Sequence, residues 1–299
     1  MEHENKEGKH KAGNWYNKNY KLVLLPPILL LAACLIYLGF FYSQHGDFIY
    51  KDASLSGGTT ITINEHLEAE VIKKIKQDVP DSYVREIKNL VTGEDIAIII
   101  DSSAAPEEVQ PKIEEIIGFK LTSDNSSIEF TGPSLSDNFY KQLIIAIIIS
   151  FALMSFVIFF QFRTFIPSIA VIFAAFADIV MALAAVNIIG IKLSAAGIAA
   201  FLMLIGYSVD TDILLTTRVL KKREGSVNER IFGSFKTGIF MTSTGLLAVL
   251  PAFFIVTGLP DSFRQIFLIL ALGLFADIIN TWLTNASIIK WYADKKGIK

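Results

Sequence analysis

The sequence predicts a polytopic α-helical membrane protein, six transmembrane helices with an α+β domain inserted between the first and the second. Three observations predict it. Apolar residues make up 52% of the 299 and charged residues only 19%, with a mean hydropathy of +0.48, whereas soluble domains run nearer a quarter charged. Six apolar runs are each about long enough to cross a hydrocarbon core of ~30 Å as a helix. Between the first two lies a polar stretch, residues 43–141, that holds 18 of the 29 acidic residues. This composition excludes a nucleic-acid-binding protein, a disordered chain and a disulfide scaffold; the single cysteine, Cys34, leaves no intrachain disulfide.

The first span is Leu22–Tyr42, free of charge, with Pro26 and Pro27 in its opening turns, where missing backbone donors cost least. It is too long for a signal-peptide core and no small-residue cleavage site follows, so it reads as a retained helix. The other five are Leu143–Phe160, Phe165–Ile191, Leu193–Thr217, Thr237–Leu259 and Gln265–Ile289, giving a five-helix bundle over 142–290. An even number of spans puts the tails, 1–21 and 291–299, on one side. That side and its loops carry sixteen of the 27 Lys and Arg residues, against Lys192 and Arg264 in the two short loops opposite. The excess of positive charge predicts cytoplasmic termini in a multi-pass plasma-membrane protein, with residues 43–141 outside.

That outside domain carries a formal charge of −9 (9 basic against 18 acidic residues), which suits a solvated surface held away from anionic headgroups. Its pattern alternates strand and helix. Ser56-Gly57-Gly58 opens a strand at Thr59–Ile63; Glu65–Gln77 is amphipathic; Val79-Pro80-Asp81 turns into a strand near Tyr83–Leu90; Thr92-Gly93-Glu94 turns into Asp95–Ile100; Pro106 with Glu107 and Glu108 starts a helix to about Ile117; Ser126–Thr131 is the last strand. The order βαββαβ is that of a ferredoxin-like sandwich. About 100 residues suffice for a small core.

Four aspartates fall where hydrocarbon should be: Asp178 in span 3, Asp210 and Asp212 in span 4, and Asp277 in span 6. Each costs at least ~2.5–3.5 kcal/mol to insert, so each needs a partner or a task. A protonatable carboxyl on an ion pathway is one account; a buried aspartate held by hydroxyls, fixing helix register, is the other. Asp210 and Asp212 point about 200° apart on one helix and cannot share a face. Tyr207 lies three residues before Asp210 and Ser208 four before Asp212, offering each a hydroxyl; Asp277 stands near Asn280 and Thr281. Ala195-Ala196-Gly197 and Ala199-Ala200 form a small-residue surface for tight packing. Lys236, at the mouth of span 5, is placed to pair with Asp210 or Asp212, or to serve as an ordinary positive-inside lysine. His3, His10, His45 and His66 all lie outside the spans, which excludes a histidine relay.

Enzyme readings find no footing. The sequence has no GxxxxGK[ST] loop for a nucleotide, no HExxH or Cys/His cluster for a metal, and no serine set in a recognisable catalytic motif. No cofactor is expected.

Several motifs carry a resemblance. Gly57-Gly58-Thr59, soon after the first helix, is similar to a two-glycine-threonine motif of the SecD/SecF protein-export family, part of the resistance-nodulation-division (RND) superfamily. Gly132-Pro133 before the second helix resembles that family's Gly-Pro signature. Ala177-Asp178-Ile179-Val180 resembles the His-Asp-Val of its SecF branch, with Ala177 replacing the histidine. Gly206-Tyr207-Ser208-Val209-Asp210 resembles that branch's Gly-Tyr-Ser motif, and Thr237-Gly238 with Thr242-Ser243-Thr244 the start of its fifth helix. The resemblance spans about residues 20–292. Bacterial SecF proteins place their proton-linked aspartate where Thr211 stands here; this chain has Asp210 one position earlier, as SecD proteins do, and adds Asp212. Lys236 is the nearest match to the partnering arginine. These departures resemble an archaeal type.

The resemblance implies half of a twelve-helix RND plan: a subunit that joins SecD in a SecDF complex and assists a translocating polypeptide through SecYEG. Its implied energy source is the proton motive force acting through intramembrane aspartates, among membrane lipids and without nucleotide or nucleic acid. Carboxylates suit H⁺ or Na⁺ alike. The competing readings are a half-size RND-type transporter of lipids or small molecules, and a non-transporting scaffold for SecD.

Overall fold

The computed structural model describes residues 16–79, 82–88, 95–222, 224–255 and 261–298. Lys6, Lys9 and Lys11, the turns at Pro80-Asp81 and Thr92-Gly93-Glu94, Leu90, Arg223, the end of the fifth apolar run beyond Ile255, and Lys299 lie outside these residues. Six helices among the described residues are long and apolar enough to cross a membrane. The chain is a polytopic helical membrane protein with a small sheet domain between its first and second spans.

The first span is helical over Tyr16–His45. Its helix restarts as α1 (Leu25–His45), with the two prolines in the first positions, where they forfeit no helical bond. A single helical turn, α2 (Ala53–Ser56), then leads into the sheet domain, whose elements are β1 (Gly58–Ile63), α3 (Ala69–Asp78), β2 (Tyr83–Lys88), β3 (Asp95–Ser102), α4 (Pro106–Ile117) and β4 (Ser126–Thr131). The four strands form one antiparallel sheet in the order β2-β3-β1-β4. Alternation sorts the side chains: Ile61, Ile63, Ile98 and Ile100 turn to the face that meets Ile72 and Ile75 of α3 and Val109 and Ile113 of α4. Each such fully buried side chain contributes about 1.5–3 kcal/mol by leaving water. The amphipathic helix expected from Glu65 begins only at Ala69, because residues 64–68 run as a strap that lays Leu67 into the core.

The remaining helices are α5 (Pro133–Phe162), α6 (Phe165–Ile189), α7 (Ala195–Lys221), α8 (Val227–Ile255), α9 (Asp261–Ile279), a π-helical segment (Asn280–Asn285) and α10 (Ala286–Lys296). The helix of the second span thus starts at Pro133, well before Leu143, since proline fits the first helical position and Gly132 stays extended. Helix α7 sits centrally. Gly273 of α9 lies where a Cβ would come within 2.2 Å of Leu204, so α7 and α9 touch closely. Ile158 and Phe162 of α5 pack on α6 and α7, and α1 lays Leu31 and Leu38 on α6. The C-terminal segment expected as a tail from residue 291 is instead helical to Lys296, with Tyr292 and Ala293 buried.

The two chain crossings between bundle and sheet domain are locked together. Gly57 and Gly58 have φ of 85° and 131°. A Cβ on Gly57 would lie 2.6 Å from the Pro133 Cα, and one on Gly58 2.2 Å from the Ser102 carbonyl oxygen. The glycine pair and the Gly132-Pro133 pair are therefore two halves of one contact, with the Thr59 hydroxyl donating to the Ala104 carbonyl beside it (2.7 Å). From the bundle, the Leu193 N–H donates to the Tyr50 carbonyl (2.6 Å), the Asp52 N–H to the Leu193 carbonyl (3.0 Å) and the Ala195 N–H to the Ser54 hydroxyl (3.0 Å). The Gln265 side chain of α9 bridges the Ser194 N–H and the Lys192 carbonyl.

Asp52 caps α2 through the Ser54 N–H (2.9 Å) and hydroxyl (2.6 Å). Burial pushes its carboxyl up to about 7, aided by nearby Asp101 and opposed by the Ser54 bonds and Arg85. Asp101 itself pairs with Arg85 at 3.3 Å, and burial holds the adjacent Lys192 below its ordinary value.

Gly57→Ala should cost about 1–3 kcal/mol from left-handed backbone strain alone, plus the clash with Pro133. Gly118→Ala, also at positive φ (82°) but with open space around it, should cost about 1 kcal/mol; thermal unfolding of the two variants checks the difference. Because Asp52 binds its proton more tightly in the closed junction than in a detached one, the junction loses stability as pH rises from about 4 to about 7. Hydrogen-exchange protection of the Asp52 and Leu193 amides should fall across that window, and Asp52→Asn should abolish the fall.

Candidate functional site

Three of the four intramembrane aspartates meet in one polar cluster where α6, α7, α8 and α9 converge; Asp178, Asp212 and Asp277 are each 0% exposed. Asp178 of α6 accepts at Oδ2 from the Ser208 hydroxyl of α7 and at Oδ1 from the Asn280 Nδ2 of the π-helical segment (2.7 Å). Asp277 of α9 accepts at Oδ1 from the hydroxyls of Thr211 (2.9 Å) and Thr281 (2.8 Å), and at Oδ2 from Thr242 of α8 (3.3 Å). Asp212 of α7 takes the Asn285 Nδ2 at 2.7 Å and the Thr281 hydroxyl at 2.9 Å on the same oxygen, Oδ1. Its other oxygen, Oδ2, has no hydrogen-bond partner among the described residues.

Local structure explains the convergence. On α7, Ser208, Thr211 and Asp212 lie at i, i+3 and i+4 and so share one face. On an α-helix of 3.6 residues per turn, Asn280, Thr281, Thr284 and Asn285 would span an arc of about 140° on one side. The wider π turn over Asn280–Asn285 keeps all four buried, and such bulges recur at functional sites.

The chemistry turns on donor count. Thr281 has one O–H within reach of two carboxylate oxygens on different residues, and Thr211 has one O–H near both Asp277 oxygens, the Ser208 carbonyl and Thr281. A hydroxyl can accept a hydrogen bond from one carboxyl while donating to another, so Thr281 joins Asp277 to Asp212 in one hydrogen-bonded chain. Among the described residues no ion pair reaches any of the three carboxyls.

Asp210 is elsewhere. It is exposed on the opposite face of α7, as the 200° separation requires, in a row with Met203, Gly206 and Tyr207 (54% exposed). Two sequence expectations are corrected. Ser208 serves Asp178 across helices rather than Asp212 four residues on, because its hydroxyl faces α6. Lys236 is exposed on α8 and makes no ion pair with Asp210 or Asp212 among the described residues, which leaves the alternative reading of an ordinary surface lysine; Arg218 of α7 and Arg230 of α8 do reach across, Arg218 to the Gly233 carbonyl and the Thr237 hydroxyl at 3.0 Å each and Arg230 to the Val219 carbonyl at 2.9 Å. No hydrogen bond joins Tyr207 to Asp210 among the described residues. The sequence reading did not single out Thr211, Thr242 or Asn285 as donors, although a polar run at 280–285 inside an apolar span was a usable signal.

The sequence profile described as protein export membrane protein SecD/SecF, C-terminal, matches residues 113–295. The chain belongs to the SecD/SecF protein-export family. Its relatives include the protein-export membrane protein SecF of Methanocaldococcus jannaschii, 38% identical over 92% of this chain and 96% of that one, and SecF of Pyrococcus furiosus, 34% identical over 92% of each. In fold it is similar to the crystal structure of SecDF, a translocon-associated membrane protein from Thermus thermophilus. That likeness has a TM-score of 0.73 at 18% identity, covering 93% of this chain and 38% of that chain. The SecD/SecF fold therefore places the carboxyl cluster inside one six-helix unit and Asp210 on its surface.

Thr281→Val leaves two buried carboxyls short of a donor and should cost about 1–3 kcal/mol. Thr244→Val, whose exposed hydroxyl bonds only its own helix at the Phe240 carbonyl, should be near neutral. Thermal melts of the two proteins in mild detergent read the contrast.

Proposed function

We propose that this chain is the SecF-type subunit of a SecDF complex, assisting protein translocation through SecYEG by using the proton motive force. The observation that carries the reading is the division of carboxyls in a SecF relative: three held inside the bundle, and Asp210 on an otherwise apolar surface of the central helix. A charged group facing hydrocarbon is costly, so this face needs cover. A second six-helix unit from SecD supplies it, in keeping with a SecDF chain of which this one spans 38%.

In this mechanism a proton reaches Asp210 in the interface between the two halves and exchanges with the inner cluster. Thr211, next to Asp210 in sequence and bonded to Asp277, stands between surface and interior. Thr281 passes the charge change on to Asp212. Neutralising a carboxyl releases hydroxyl and amide donors and lets α7 shift against α9. Both helices end in the junction: α7 through Leu193, Ser194 and Ala195, α9 through Gln265. A displacement there moves the Tyr50–Ser54 segment and, through the Gly57–Pro133 contact, the ferredoxin-like domain, which holds or pulls the emerging polypeptide. One proton crossing 100 mV releases about 2.3 kcal/mol, enough to reverse a modest conformational bias.

The cytoplasmic placement of both termini follows from the lysine and arginine distribution and puts the sheet domain on the side where the polypeptide emerges. The chain acts as a coupling subunit and not as an enzyme, and needs no nucleotide or metal.

Export of a preprotein into sealed vesicles, driven by an imposed proton gradient, tests this. Asp210→Asn and Asp212→Asn should each reduce the gradient-stimulated rate about tenfold or more, corresponding to about 1.4 kcal/mol of lost coupling, while leaving assembly with SecD intact. Unchanged export in both single variants and in the double variant would make these carboxyls structural.

A further inference from the structure

A cavity of about 540 Å³ lies in the half of the bundle nearest the sheet domain, between the first turns of α5 and the adjoining parts of α6 and α7. Ile144 and Ile147 of α5, Ile179 and Leu183 of α6, and Ile198 and Phe201 of α7 make its walls, and Phe48 and Ile49 close it on the domain side. It opens between the helices at Ile145, which is exposed on the outer face of α5.

The lining decides what fits. Buried water needs two to four polar partners, and these walls offer none. An extended peptide would bring backbone groups that hydrocarbon cannot satisfy, and a helix, about 10 Å across with its side chains, is too wide to enter the slot. What remains is a flexible apolar chain without hydrogen-bonding groups, and the fluid around a membrane-spanning bundle is made of such chains. Polar groups occur only at the rim. Lys141 is exposed there, tied to Asp137 (2.7 Å) in a surface pair of a kind worth little. Lys51, beside the rim, is already paired with Asp47 (2.7 Å) and stacked 3.8 Å from the centre of the Tyr140 ring. An apolar slot with the exposed Lys141 ammonium at its mouth matches a lipid chain below a phosphate.

We propose that this cavity binds one hydrocarbon chain of a membrane phospholipid, with the headgroup phosphate at Lys141. The site is distinct from the carboxyl cluster. It lies against the junction: its α5 wall starts at Pro133, which packs on Gly57, and its Phe48–Ile49 roof runs into Asp52. A bound chain therefore braces α5 against α6 and α7 and fixes where the sheet domain stands.

The test uses the full chain with its co-purifying partners, in nanodiscs of equal parts phosphatidylcholine and phosphatidylglycerol. Phe201→Trp puts a fluorophore in the cavity wall, and phospholipid with brominated acyl chains should quench that added emission. Ile147→Trp fills the slot. After extraction into mild detergent, native mass spectrometry should show one retained phospholipid on the parent, lost about tenfold or more in Ile147→Trp, a deficit of about 1.4 kcal/mol in binding. Ile148→Trp, on the exposed side of α5, should retain it, and Lys141→Glu should weaken retention severalfold. Equal retention in parent and Ile147→Trp, or no quenching of the Phe201→Trp signal, overturns the proposal. So does a partner polypeptide shown by crosslinking to occupy the slot. If Ile147→Trp fails to assemble, the quenching measurement alone decides.

Discussion

The hydroxyl of Thr281, 2.8 Å from Asp277 and 2.9 Å from Asp212, is the contact on which the rest of the bundle depends. Carboxyls removed from water must find donors or protons, and one hydroxyl between two of them gives neither a full share. That constraint is met at the π turn of Asn280–Asn285, which brings the amides of Asn280 and Asn285 and the hydroxyl of Thr281 onto the carboxyls of Asp178, Asp212 and Asp277. It also sets the register of α7 against α9, since Thr211 and Asp277 must meet from opposite sides. The close approach at Gly273 and Leu204 is the packing counterpart of the same alignment.

An under-supplied polar cluster is poised rather than inert. A fully satisfied network rigidifies a core, and one with shared donors rearranges when a proton arrives or leaves. Asp212, with one oxygen crowded by two donors and the other without any, is the member with most to gain from such a change. The far end of the same helix is bonded to the segment that enters the sheet domain. The carboxyl cluster and the segment that enters the sheet domain are therefore joined by one covalently continuous helix.

Much of this was legible in the residues. Hydropathy located the six spans, and βαββαβ patterning matched the order of strands and helices that the structure shows. The angular argument for Asp210 and Asp212 held because helix geometry is local: two residues apart means opposite faces in any packing. Where the reading went wrong it concerned partners from distant segments. Ser208 was assigned to Asp212 by proximity along one helix, yet its hydroxyl reaches Asp178, thirty residues away. For Lys236 charge alone left two readings, a partner of the aspartates or an ordinary surface lysine, and the packing of α8 leaves it on the surface. The glycine pair and the Gly-Pro pair were noticed separately, and nothing in either hinted that each is the reason for the other.

By itself the sequence determined that six runs are long and apolar enough to cross a membrane as helices, that Lys and Arg gather in the tails and alternate loops, and which carboxyls lie within those runs. These depend on composition and on periodicities of 2 and 3.6 residues, which need no tertiary information. Only the tertiary structure decided which carboxyls share donors, which one faces outward, and how the bundle grips the domain above it. Each of those contacts joins side chains many residues apart, and the energy of a hydrogen bond depends on tenths of an ångström that only the packed helices define.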